Sequence, residues 1–347
     1  IDDFAEEVDN PVKRKPIIKW NDEGKFEINP FSQQKLVSDY MSDQSPYRGL
    51  LLYHGLGSGK SGASIMIAEG FKGREVVILL PKSIRKNYED EIKTFGDIAY
   101  RSNSYWCFIP IKLNLDDSKN DEVYTIFESK GIKRLLLKDI IDNSSETYKG
   151  LWMIDYTKET PNYGILSSDK QAEIDKQIEL MYNTKYTFIH YNMGASLLTH
   201  IIKTFNSNYI NIKLSALKSN YPDSVINSKN NKKYRYKLLE YMYNPDNNIK
   251  NPFSDKVVII DEVHNLVSMM AGGGINGPIL YEMLMRADNC KIIALSGTPV
   301  INYAYELGLL FNMLRGYTKA FTLTLSKMDG KWDNDELNTI LERTLLI

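Results

Sequence analysis

The 347-residue chain has only two cysteines, Cys107 and Cys290, far apart and in no C-x-x-C arrangement. That excludes a disulfide framework and a thiolate zinc site, and it fits a reducing compartment. No apolar run reaches the roughly 18 residues of a membrane span and no signal peptide is visible, so no membrane partner is expected. An excess of one charge is missing too. The formal net charge is −1, so any basic surface must be local. There is no internal repeat, and no methionine precedes Ile1, which points to a piece of something longer. What is present, 43% apolar and 25% charged residues, suits a soluble globular chain of one large or two ordinary domains.

The chain is organised around Leu50-Leu51-Leu52-Tyr53-His54-Gly55-Leu56-Gly57-Ser58-Gly59-Lys60-Ser61. A short apolar strand, a glycine-rich turn and a helix from Ser61 to Phe71 make the layout of a phosphate-binding loop. Glycines at 55, 57 and 59 let backbone N–H groups approach an anion, and the helix dipole supports it. Gly55, Gly57, Ser58, Gly59, Lys60 and Ser61 are therefore the nucleotide-binding candidates. Lys60 is the point charge on the phosphates and Ser61 the hydroxyl ligand of Mg²⁺. The strict pattern has glycine at position 54, where this chain has His54. The competing reading is a glycine turn that happens to contain Gly-Lys-Ser.

Around this loop the pattern alternates. Residues 1–29 are polar and read as an arm, and helical periodicity begins at Pro30. A second strand, Val76 to Leu80, ends in Pro81-Lys82-Ser83 and leads into a helix to Phe95. This rhythm predicts parallel strands. Residues of about 102–185 break it and read as an insertion, with a helix from Ser168 to Tyr182. Tyr186 to Tyr191 is a strand again, followed by a helix near Leu197 to Ile202. Residues 206–251 are Asn-, Lys- and Tyr-rich, and residues 200–256 carry about six excess positive charges. Lys229, Lys232, Lys233, Arg235 and Lys237 cluster there, as a solvated loop or as a nucleic-acid contact.

Strand Lys256 to Ile260 runs into Asp261-Glu262-Val263-His264, and strand Lys291 to Leu295 into Ser296-Gly297-Thr298-Pro299. In an open parallel sheet the ligand sits at the carboxyl ends of the strands, which is where these signatures fall. A buried strand followed by two carboxylates has the shape of a Walker B segment. Asp261 is then a metal ligand and Glu262 the group that activates water. The competing reading makes Asp261 the cap of an ordinary helix.

Asp-Glu-x-His after such a strand, with Ser296-Gly297-Thr298-Pro299-x-x-Asn302-x-x-x-Glu306-Leu307, resembles the superfamily 2 helicases, of the DEAH and Swi/Snf type. The wording Leu-Leu-Tyr-His-Gly-Leu-Gly-Ser-Gly-Lys-Ser and the Asn312-Met313-Leu314-Arg315-Gly316 ending resemble one viral group in particular. It comprises the nucleoside triphosphatases and early transcription factor subunits of poxviruses and other large DNA viruses.

The resemblance covers about residues 30–100 and 186–326. It implies an α/β, RecA-like P-loop domain with a parallel central sheet flanked by helices, over residues 30–317, with the large insertion between the second strand and the Walker B strand. It implies ATP and Mg²⁺ as cofactors. His264, Ser296 and Thr298 would couple hydrolysis to motion, and Gln34 would read adenine unless it is structural. Lys82, Ser83 and Asn192 are candidate nucleic-acid contacts, though Lys82 reads equally as a solvated lysine. DNA is expected ahead of RNA as the track. Viral RNA polymerase or other transcription proteins are expected partners, and the host cytoplasm or virion the location. The alternative is an ATP-switched transcription or assembly factor whose output is DNA or polymerase binding. No Q-x-x-G-R-x-x-R segment occurs, so residues 318–347 read as a linker toward a second RecA-like domain. The chain alone is then expected to be a weak ATPase.

Overall fold

The computed structural model describes residues 17–20, 26–29, 32–53, 55, 59–111, 120–128, 132–144, 149–158, 160–193, 197–205, 251–272, 276–299, 302–317 and 335. Strands β1 (Ile17–Trp20) and β2 (Phe26–Asn29) pair antiparallel, within a stretch whose polar composition suggested only an arm. Helix α1 (Ser32–Tyr40) leads to β3 (Gly49–Tyr53), α2 (Lys60–Gly70), β4 (Val76–Leu80) and α3 (Arg85–Phe95). Then come β5 (Trp106–Pro110), α4 (Asp121–Glu128), α5 (Arg134–Asp142), β6 (Gly150–Ile154) and α6 (Ser168–Asn183). The chain continues through β7 (Tyr186–His190), α7 (Leu197–Phe205), β8 (Val257–Ile260), α8 (Val263–Ala271), α9 (Asn276–Met285), β9 (Lys291–Ser296) and α10 (Tyr305–Arg315). Contacts divide it into two units, Ile1–Gly316 and Tyr317–Ile347, and every one of these elements lies in the first.

Five strands form one parallel sheet in the order β3-β9-β8-β4-β7. Residues of β4, β8 and β9 are buried on both faces, as a parallel sheet between two helical layers requires. The period of two sorts them cleanly. Val77, Leu79, Val258, Ile260, Ile292 and Ala294 face one layer, with Leu266, Leu280, Met283 and Leu310. Val76, Ile78, Leu80, Val257, Ile259, Ile293 and Leu295 face the other, with Ile65, Ile67, Ile92 and Ile178. Each such valine, leucine, isoleucine or methionine side chain contributes about 1.5–3 kcal/mol of hydrophobic stabilisation. The architecture is that of a RecA-like domain, as the resemblance implied.

Residues 106–183 lie between β4 and β7 in the sequence. Their β5–β6 pair is antiparallel and closes a third core of Tyr124, Leu137, Ile140, Ile141 and Leu151. Helix α6 ties this region to the main body. The Gln177 side chain accepts from the Trp152 N–H and donates to the Trp152 carbonyl, both at 2.7 Å, while Ile174 and Ile178 join the second layer.

The start of β3 is clamped against the carboxyl ends of α9 and α10. The half-buried Arg48 guanidinium donates to the Met313 and Leu284 carbonyls, adding donors at two helix ends where carbonyls lack intrahelical partners. Gly49 lets α10 pass: a Cβ there would lie 2.6 Å from the Leu314 carbonyl oxygen. Gly49→Ala is therefore expected to lower stability by about 1–3 kcal/mol, read from the midpoint of a urea titration. An unshifted midpoint would mean that α10 can move aside.

Candidate nucleotide site at the carboxyl edge of the sheet

Strands β3, β8 and β9 are neighbours through β9, so their carboxyl ends open on one edge. Gly59 caps α2 in the left-handed region (φ 75°, ψ 27°), a conformation that costs glycine little. Lys60 begins the helix, and its Nζ donates to the Gly55 carbonyl at 2.9 Å, folding the side chain over the loop. Ser64 Oγ donates to the Ser61 carbonyl at 2.7 Å and hydrogen-bonds the buried Tyr88 hydroxyl, which fixes the first turn behind Ser61.

Asp261 follows β8 and is only 9% exposed. Burial, with the nearby Glu262 carboxylate adding, pushes its carboxyl up to about 6, although a hydrogen bond from the Glu262 N–H (2.9 Å) and the nearby Lys60 oppose this. A buried carboxylate pressed toward its protonated form is what a divalent cation would relieve, so Asp261 and Ser61 fit Mg²⁺. Glu262 itself sits at φ 48°, ψ 50°, left-handed for a residue with a Cβ, at a cost of about 1–2 kcal/mol.

A chain of contacts runs from Glu262 to the end of β9. His264 Nδ1 lies 3.3 Å from Glu262 Oε2 and is hydrogen-bonded to Ser296 Oγ at 2.9 Å. A proton on Nδ1 serves both acceptors, whereas a bare Nδ1 would face the carboxylate lone pair to lone pair. Ser296 is fully buried, and its Oγ also accepts from the Thr298 N–H at 3.0 Å. Beside it a second network forms. The buried Glu306 carboxylate accepts from Ser268 Oγ (3.0 Å), the Asn302 N–H (3.2 Å) and the Asn302 side chain (3.2 Å). The spacing N-x-x-x-E puts Asn302 and Glu306 within reach of each other at the start of α10, so that part was visible as a motif.

The nucleic-acid candidates fall at another part of the same edge. Lys82 and Ser83 are exposed just past β4, and Asn192 is exposed just past β7. The register Leu80↔His190 sets these two ends side by side. Arg85 adds charge there, paired with Glu89 at 2.8 Å and lying over the Phe188 ring at 5.0 Å. Gly57, Ser58, Lys232, Lys233 and Arg235 lie outside the described residues, as does the side chain of Gln34, whose backbone lies in α1. Sequence reasoning missed Tyr88 and the hydroxyl of Tyr191, which donates to the carbonyls of both Asp261 and Glu262 at 3.2 Å. An aromatic at the end of a strand gives no sign of where its hydroxyl points.

No known family profile matches the chain. Individual proteins do. One protein of Acanthamoeba polyphaga mimivirus, provisionally named an ATP-dependent RNA helicase, is 23% identical over 306 residues, covering 88% of this chain and 35% of its own length. A second mimivirus protein with the same kind of name is 24% identical over 299 residues, 84% of this chain and 19% of its own. The termination factor NPH-I homolog of African swine fever virus is 29% identical over 161 residues, 39% of this chain and 23% of its own. The chain thus spans about a third or less of the length of these relatives. On this fold, with these relatives, the chain is similar to the viral superfamily 2 helicases.

Proposed function

We propose that this chain is the ATP-binding part of a nucleic-acid-dependent ATPase of the helicase or translocase kind, acting in viral transcription. One observation carries the reading. The phosphate-loop helix, the two carboxylates after β8 and the serine ending β9 open on one sheet edge, with Glu262, His264, Ser296 and Thr298 in continuous contact. Mg²⁺-ATP supplies the reactive phosphoryl group and the charge that neutralises it. Lys60 and the loop N–H groups would bind the β- and γ-phosphates, and Ser61 and Asp261 would hold the cation. Glu262 would orient the attacking water and take its proton. His264 would report the state of Glu262 to Ser296 and Thr298, and so to whatever closes over the site. A second RecA-like domain would supply the arginines that neutralise the transition state, so residues 1–347 alone would turn over slowly. Lys82, Ser83 and Asn192 would meet the nucleic-acid backbone, with DNA the first candidate.

Lys60→Ala tests the reading directly. Loss of one charge-assisted contact to phosphate, about 1.5–3 kcal/mol, should weaken ATP binding about 10- to 100-fold in a calorimetric titration. The melting curve should not move, since the ammonium faces the loop and not the core. Undiminished affinity would refute the phosphate loop.

A transcription factor that uses ATP as a conformational switch is the second reading, favoured by the name of the African swine fever virus relative, a termination factor homolog. Strand-displacement and translocation assays on the intact protein separate the two. ATP-driven movement supports the motor, and ATP-dependent release or binding of nucleic acid without movement supports the switch.

A further inference from the structure

The Glu262 turn is strained, and it has a brace that comes from a distant strand. Tyr191 is the residue after β7, which is separated from β8 by β4. Its side chain is buried, 3% exposed, and reaches the turn after β8. There the hydroxyl lies 3.2 Å from the Asp261 carbonyl and 3.2 Å from the Glu262 carbonyl, so that one proton is shared between consecutive acceptors. The Glu262 carbonyl also accepts from the Asn265 N–H at 2.9 Å. A phenylalanine would fill the same space. What the hydroxyl adds is a hold on both peptide planes that flank Glu262, and these planes set the direction in which its carboxylate points.

The residue that follows is the exposed Asn192, beside Lys82 and Ser83 on the candidate nucleic-acid edge. A shift of the end of β7 therefore moves the Tyr191 hydroxyl, and with it the left-handed turn. We propose that Tyr191 is the positioning residue for Glu262 and the link through which nucleic acid at the end of β7 sets the hydrolytic rate. This rests on the reading of Glu262 as the group that activates water.

The test is a double-mutant cycle in the intact protein, with single-stranded DNA and RNA oligonucleotides as stimulators. Tyr191→Phe should lower the stimulated kcat about 10- to 100-fold, as a misplacement of about 1 Å does, and leave ATP affinity within about twofold. Because Tyr191 acts through Glu262, the Tyr191→Phe/Glu262→Gln pair should be no slower than Glu262→Gln alone. Additive losses, or wild-type stimulation in Tyr191→Phe, would overturn the proposal. So would a loss of ATP affinity in step with melting temperature, the mark of a merely structural hydroxyl. Glu262→Gln with normal turnover would instead remove the assignment of Glu262 and leave the Tyr191 contact to be explained otherwise.

Discussion

Glu262→Gln in the intact protein is expected to bind Mg²⁺-ATP as the wild type does and to hydrolyse it about 10²–10⁴ times more slowly. The substitution keeps shape and hydrogen-bonding reach but deletes the proton acceptor. Affinity should survive because the carboxylate stands outside the loop that holds phosphate: Lys60 contacts the Gly55 carbonyl, whereas Glu262 contacts His264. The loss should therefore appear in kcat and not in the dissociation constant. Single-turnover hydrolysis beside equilibrium binding of a fluorescent ATP analogue measures both. Normal turnover would move the base to another group.

Asp261→Asn is expected to trade function for stability. The carboxyl has an ordinary value of 3.8 and about 6 in the folded chain. The folded state therefore holds its proton more tightly than the unfolded one, so this group supports folding most at low pH. Its support falls as pH rises from about 4 to 6 and becomes a constant penalty above. Two pKa units correspond to about 3 kcal/mol, and residual solvent contact reduces that to about 2. Asparagine carries no such penalty and still accepts from the Glu262 N–H. The nucleotide-free variant should melt several degrees above wild type at pH 7.5, with the gap closing toward pH 5, while Mg²⁺-dependent ATP binding is lost. A variant that melts at or below wild type at pH 7.5 would mean that the carboxylate is already compensated.

Much of this could be read from the residues because a parallel sheet buried on both faces writes itself as unbroken apolar runs. Val76 to Leu80, Val257 to Ile260 and Lys291 to Leu295 were visible as strands for that reason, and their polar ends marked the edge. The pairing of β1 and β2 was not visible, since two four-residue strands in polar surroundings are too short to set a period. Nor was the β5–β6 pairing, whose partners are separated by two helices and are only partly buried. At the site, loops and carboxylates follow spacing rules tied to phosphate and metal chemistry, so Lys60, Ser61, Asp261 and Glu262 were legible as candidates. The braces were not. Tyr191 and Tyr88 act through side-chain direction, which depends on how strands are ordered in space and leaves no trace in spacing.

The strand order also sets a schedule for folding. Consecutive strands β3 and β4 are not neighbours: β9 and β8 lie between them, and β3 pairs with β9, some 240 positions further along. The amino-terminal half must therefore keep a gap two strands wide until residues 257–296 arrive to fill it. Until then, both edges of the phosphate-loop strand are unpaired, a template for pairing with other chains. A topology of such high contact order folds slowly, because loop closure must precede its rewarding contacts. The nucleotide site is accordingly among the last features to form, and a chain ending before Lys291 would leave β3 without its partner among the described strands.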